Sequence, residues 1–188
     1  MKPTQSQIQA SRKHVLDWFA KSAPLVEWAA MDSPLGTLYL ARNITGVCSL
    51  DFGTDESTFV EHLDPLARAE RHIDALAPVI RQLEQYFAGK RHQFDVRVDL
   101  STMTDFQRDV LDSAQTIPSG KVWTYGQVAQ HIGKPKASRA VGQALGSNPI
   151  PIIVPCHRVI GSNGQMTGYS GGGGIEDKKW LLRLEGAL

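Results

Sequence analysis

The sequence predicts an α+β protein: a mixed strand-and-helix part over about 24–100, then a helical part over 101–188, with an appended segment at 1–23. Three observations lead there. VEWAAM and TLYLA flank the turn-forming SPLG and read as two paired strands. After Leu100 the apolar residues fall at helical spacing, interrupted by Gly/Pro clusters. The first 23 residues carry Ile8, Val15, Leu16 and Phe19 at loosely helical spacing, as a helix packed on the body or a partly disordered extension would.

The elements follow in order. GVCSLDF reads as a third strand, and the pattern turns helical at 55–63 and 76–88. In the second of these Val79, Ile80, Leu83 and Phe87 share a face, and Gly89 ends the helix. FDVRVDL alternates in the manner of a half-buried strand. Thr104 and Gln107 form a capping box opening a helix with Phe106, Val110 and Leu111 inward. IPSG breaks it. A helix from about Tyr125 puts Val128, Ala129 and Ile132 on one face and stops at Gly133-Lys134-Pro135; another runs from about Lys136 to Leu145, ended by Gly146. Two short helices joined by a three-residue Gly-containing turn suit a helix-turn-helix, although many helical pairs meet this way without touching DNA. Pro149, Pro151 and Pro155 forbid a regular helix, so Ile150–Val154 reads as buried extended chain. The last helix, about Glu176 to Leu184, turns Trp180, Leu181 and Leu184 inward and leaves Glu185 at its end.

Composition excludes several classes. A chain of 188 residues allows one or two domains with a real core. No apolar run reaches the ~18 residues of a membrane span, and MKPTQSQIQASRKH lacks the apolar stretch of a signal peptide. A cytoplasmic monomer without membrane contact is expected. No C-x-x-C pair or Gly-rich nucleotide loop is present, so neither metal nor cofactor is expected. The net charge is only +1, but no acidic residue lies between Asp112 and Glu176, an interval holding Lys121, Lys134, Lys136, Arg139 and Arg158. Such a one-sided segment fits a surface that meets an anion, and equally a Gly- and Ala-rich stretch that happens to lack carboxylates.

The two cysteines differ in setting. Cys48, inside GVCSLDF, reads as a buried core thiol. Cys156 follows an apolar run and precedes His157 and Arg158, cationic or imidazole neighbours of the kind that lower a thiol pKa. A bare Cys-His pair is more often a buried cysteine beside a satisfied histidine.

The wider context decides. VPCHRVI resembles the active-site signature of the O6-alkylguanine-DNA alkyltransferases, the methylated-DNA–protein-cysteine methyltransferases. TYGQVAQHIGKPKASRAVGQALGSNPIPIIVPCHRVIGSNGQMTGYSGG is similar to that family's DNA-binding and active-site region without a gap, as are IPSGKVWTYG, KKWLLRLEG and the hairpin around SPLGTLYLA. The likeness spans about residues 25–188. It departs from the family in the 1–23 extension and in a glycine run about two residues longer than usual after Tyr169. The zinc ligands that some members carry near the N-terminus have no counterpart.

The resemblance implies a small N-terminal α/β domain of ribonuclease-H-like form with an antiparallel sheet, and a helical C-terminal domain with a winged-helix-type helix-turn-helix. It implies repair of double-stranded DNA containing alkylated guanine: O6-alkylguanine, and O4-alkylthymine with it, gives its alkyl group irreversibly to Cys156, the base being flipped out. His157 would take the thiol proton through a water, Glu185 would orient that imidazole, and Asn148 would hold the cysteine turn. Tyr125 would contact phosphate and push the nucleotide out, and Arg139 would fill the gap in the stack. The backbone around Cys156 and Val159, with Ser170, would read the guanine edge. Lys178 would favour the thiolate. Lys136, Ser138, Arg158 and Tyr169 complete the residues expected to meet DNA or base. Two other readings compete: a Cys-His-Glu hydrolase, for which no oxyanion-hole motif is present, and a lesion-sensing binder of the alkyltransferase-like kind, which lacks the acceptor cysteine.

Overall fold

The computed structural model describes residues 3–166, 168–169 and 171–188. Helix α1 (Gln5–Ser22) leads in, with Ile8 and Val15 exposed; the side chains of Leu16 and Phe19 lie outside the described set. The hairpin forms as expected: β1 (Leu25–Ser33) and β2 (Gly36–Arg42) pair antiparallel from Ser33↔Gly36 onward. Pro34 fixes φ in the turn, and Gly36 takes a φ of 93° that a side chain would resist. Strand β3 (Val47–Phe52) pairs antiparallel with β2.

A fourth strand, β4 (Arg68–Arg71), lies parallel to β1 and gives the order β3-β2-β1-β4. The expected antiparallel sheet is thus antiparallel apart from one edge. Arg-Ala-Glu-Arg has no apolar alternation to announce a strand, and its charges protect an exposed edge. FDVRVDL, conversely, is not a strand. Phe94, Val96 and Val98 are half-buried in alternation, but only Val98 bridges to Val47. The Gln82 amide takes the place of a ladder there: its Nε2 donates to Asp95 O (3.0 Å) and its Oε1 accepts from Asp95 N (2.8 Å).

Alternation divides the sheet between two cores. Tyr39 and Ala41 face α2 (Glu56–Glu61), where Phe59 stacks on Tyr39 at 5.4 Å. Leu38 and Leu40 face α3 (Ile73–Phe87) through Leu76 and Leu83. Tyr86, not among the expected face residues Val79, Ile80, Leu83 and Phe87, is also buried on α3. This second cluster continues without interruption into the C-terminal part through Val110, Leu111, Val128, Val141, Ile150 and Leu181. Cys48 is half-buried at the margin of the Tyr39 cluster, less enclosed than expected; burial and Asp99 push its thiol up to about 11.

In the C-terminal part the Thr104–Gln107 capping box opens α4 (Asp105–Gln115) as expected, and Thr124 with Gln127 forms another that opens α5 (Tyr125–His131). Gly133, at φ 71°, closes α5: its N–H bonds to Gln130 O and that of Lys134 to Ala129 O, the paired bonds of a Schellman stop. α6 (Ser138–Gly146) starts two residues later than expected and includes Gly146, so the connection between the helices is 132–137 rather than three residues. β5 (Trp123–Thr124) and β6 (Val159–Ile160) pair in parallel, and α7 (Ile175–Leu184) closes the chain.

Candidate active site

The segment before Cys156 is buried but not extended. Ile150–Val154 folds into a tight turn closed by Val154 N to Ile150 O at 2.9 Å. Ile152 sits in it at φ 75°, a left-handed conformation that a β-branched side chain adopts only at a cost of roughly 1–3 kcal/mol. Asn148 fastens both ends: its Nδ2 donates to Val154 O (2.8 Å) and its Oδ1 accepts from Ile150 N (3.0 Å). The chain then makes one 3-10 turn, Cys156–Arg158, and enters β6. Because β6 pairs with β5, and Thr124 of β5 caps α5, the cysteine turn and Tyr125 are set against each other by one short ladder.

Cys156 is 5 % exposed and opens onto a cavity of about 300 Å³, lined also by Tyr125, Gly142, Leu145, Gly168, Tyr169 and Lys178. Behind it His157 is fully buried, and its Nε2 meets Glu185 Oε1 at 3.0 Å. The same carboxylate accepts from Arg158 Nε (2.9 Å), Arg158 Nη2 (2.8 Å) and Tyr86 Oη (2.8 Å). Burial pushes Glu185 up, but the hydrogen bonds from His157 and Arg158, with the Arg158 charge, outweigh it and hold the carboxyl at about 2. An ionised carboxylate only accepts, so His157 Nε2 carries the proton and Nδ1 is left basic. Nδ1 is buried and makes no hydrogen bond among the described residues. Burial depresses the imidazole pKa, with Arg158 and Lys178 adding and Glu185 opposing, so His157 rests neutral. Burial raises the Cys156 thiol, against the effects of Asn148 and Lys178. The resting site is therefore a protonated thiol with a neutral base at hand.

Lys178 is 1 % exposed; its Nζ donates to Val159 O at 2.6 Å and Gly168 O at 3.4 Å. Ser138, half-buried, and Arg139, exposed, begin α6, and the exposed Lys136 lies just before it; all three are outside the cavity lining. Ser170 lies outside the described residues. Arg158 corrects the expectation most clearly. Expected among the groups meeting DNA, it is 6 % exposed and turned inward, with Nη1 on Ile117 O at 2.5 Å. Lys134 is also partly neutralised, by Asp109 at 3.4 Å. The acid-free interval thus keeps Lys121, Lys136 and Arg139 as exposed cations without an ion pair among the described residues. The sequence reading missed Tyr86, whose only signal is helical position on a buried face.

Residues 26–100 match the family model described as 6-O-methylguanine DNA methyltransferase, ribonuclease-like domain, and residues 105–187 match the one described as its DNA binding domain. A methylated-DNA–protein-cysteine methyltransferase of Methanosarcina acetivorans is 43% identical over 160 residues, 85% of this chain and 98% of that protein. The chain belongs to the methylated-DNA–protein-cysteine methyltransferase family. The methylated-DNA–protein-cysteine methyltransferase of Mycobacterium tuberculosis is 44% identical over 164 residues, covering 86% of this chain and 93% of that protein. The crystal structure of the M. tuberculosis O6-methylguanine methyltransferase superposes with a TM-score of 0.74 at 43% identity, covering 87% of this chain and 94% of the other. The structure of M. tuberculosis OGT in complex with DNA gives 0.73 at 42%, covering 86% and 93%. A Pyrococcus kodakaraensis methyltransferase, 22% identical with a TM-score of 0.58, shares the fold. The α+β reading of this methyltransferase, a sheet domain before a helical one, agrees with these matches.

Proposed function

We propose that this protein repairs DNA by direct reversal, as a monomer in the cytoplasm: the alkyl group of an O6-alkylguanine, and that of O4-alkylthymine, moves to Cys156 and each molecule acts once. One observation carries the reading: Cys156 opens onto the cavity, with a buried His157 behind it that is hydrogen-bonded through Nε2 to Glu185. The thiol proton passes through a water to His157 Nδ1, and the sulfur attacks the alkyl carbon. The C–O6 bond breaks, its electron pair stays with the base, and the proton ends on guanine. The products are an S-alkyl cysteine and unmodified guanine.

O6 faces the partner base in a duplex, so this attack requires the nucleotide to be flipped out, at a few kcal/mol. Tyr125 at the cavity mouth acts on the phosphate and the flipped base, and the exposed Arg139 fills the stack. Lys136 and Ser138 meet the DNA backbone, and the protein backbone around Cys156 and Val159, with Tyr169 and Ser170, meets the base. The M. tuberculosis relative captured with DNA supports the DNA partner.

The test is intact-protein mass spectrometry after mixing with excess DNA containing O6-methylguanine. One methyl group per chain is expected, on the peptide holding Cys156, then no further reaction, because an S-alkyl carbon offers water no carbonyl to attack. Cys156→Ala abolishes the mass shift and Cys48→Ser leaves it. Turnover beyond one equivalent, or label on Cys48, would overturn the proposal.

A further inference from the structure

The glycine run Gly171–Gly174 is held on two sides. A Cβ on Gly53, just past β3, would lie 2.5 Å from Gly172 Cα, and one on Gly172 would lie 2.5 Å from the Phe52 ring, so backbone and ring are already in full contact. On the other side Asp177, in the first turn of α7, accepts from Gly173 N through Oδ2 at 2.5 Å. Gly174 N closes the loop on Gly171 O at 2.8 Å. Two residues before the run, the Tyr169 ring lies 6.4 Å from the Phe52 ring, and Gly168 and Tyr169 form a wall of the Cys156 cavity.

We infer that Phe52 is a specificity-determining positioning residue: seated under the glycine run, it fixes the width of the cavity and so the largest alkyl group that Cys156 accepts. This inference rests on the alkyl-transfer reading above and adds to it a role for the N-terminal part. Phe52 does not touch the reacting atoms; it acts through Tyr169. The cavity wall can retreat only if the loop sinks toward β3, and the 2 % exposed Phe52 ring occupies that space. Close-packed interiors do not yield such space without a change of side chain. Asp177 tethers the loop from the opposite side, so releasing either anchor acts in the same direction.

The experiment measures single-turnover transfer from DNA carrying O6-methylguanine and from DNA carrying O6-benzylguanine, with the full chain and three variants. Phe52→Leu and Asp177→Ala are expected to raise the benzyl-to-methyl rate ratio roughly five-fold. Phe59→Leu, in the separate cluster on the other face of the sheet, removes comparable ring volume and is expected to leave the ratio unchanged. Should Phe52→Leu fail to fold, Asp177→Ala carries the comparison. An unchanged ratio in the anchor variants, or the same rise in Phe59→Leu, overturns the inference while leaving alkyl transfer intact. Absence of transfer from either substrate in the unmodified chain removes the function itself, and this inference with it.

Discussion

Arg158 grips Glu185 at both oxygens, Nε to Oε2 at 2.9 Å and Nη2 to Oε1 at 2.8 Å, in a pair whose side chains are 7 % and 1 % exposed. The charge that the sequence offers as a phosphate contact is spent inside the protein. It keeps Glu185 ionised, and an ionised Glu185 fixes the tautomer of His157.

Arg158→Met leaves that carboxylate buried without its main partner. Removing one member of a buried pair costs about 3–5 kcal/mol. The expected result is a correspondingly lower urea midpoint, with the salt dependence of DNA binding unchanged. A flatter salt slope would return Arg158 to the phosphates.

Tyr86→Phe deletes the hydroxyl donor that the N-terminal part supplies to Glu185 Oε1. The oxygen keeps His157 and Arg158 as donors, so the loss is one net hydrogen bond, about 1 kcal/mol. Chemical denaturation should show that shift and no more. A loss of several kcal/mol would mean that the hydroxyl organises the whole cluster.

Burial places His157 below the ordinary histidine value of 6.5, and the neutral imidazole is the base. Transfer should therefore persist as pH falls through the usual histidine range and fail only below it. Stability moves the same way. His157, and Glu185 held at about 2 against an ordinary 4.5, both bind protons more readily in the unfolded chain. The Glu185 contribution is complete above about 4.5 and is lost as pH falls toward about 2; that of His157 is complete above 6.5 and starts to fall below it. Denaturation midpoints across this range, compared between the native chain and Glu185→Gln, check it: the variant should be less stable at neutral pH and lose less on acidification.

Arg139 is exposed on α6 and outside the cavity lining. Arg139→Ala should slow repair of duplex DNA at least ten-fold, a loss of about 1.4 kcal/mol in barrier terms, while transfer from the free modified base stays near normal. Equal losses on both substrates would contradict a role in the base stack.

Elements with a strong local cause were legible in the sequence. The Thr104–Gln107 box, the SPLG hairpin and the Gly133 stop depend on neighbours within a few residues. The strand β4 was not, because its pairing with β1 is made by backbone and not by apolar side chains. FDVRVDL failed for the opposite reason: its alternation reports burial, while its backbone is shared between the Gln82 amide at Asp95 and a single bridge to Val47. In the site, the residues contiguous with Cys156 could be named from the motif. The direction of Arg158 and the arrival of Tyr86 from 99 residues away are tertiary facts that no local pattern encodes.

Lys178 is the remaining buried charge beside the thiol. Burial depresses its pKa and Cys156 opposes that; in return the ammonium draws the thiol pKa down. Lys178→Met keeps the length of the side chain but removes the charge and the donors to Val159 O and Gly168 O. Cys156 should then ionise only at higher pH. The pH profile of its alkylation by a small reagent should move upward, and transfer at neutral pH should slow about ten-fold, about 1.4 kcal/mol in barrier terms. The two lost hydrogen bonds also lower stability by about 1–3 kcal/mol, so the readout is the profile's midpoint under conditions where the variant is fully folded. A rate loss with an unmoved midpoint would show that Lys178 serves only to hold the strand at Val159.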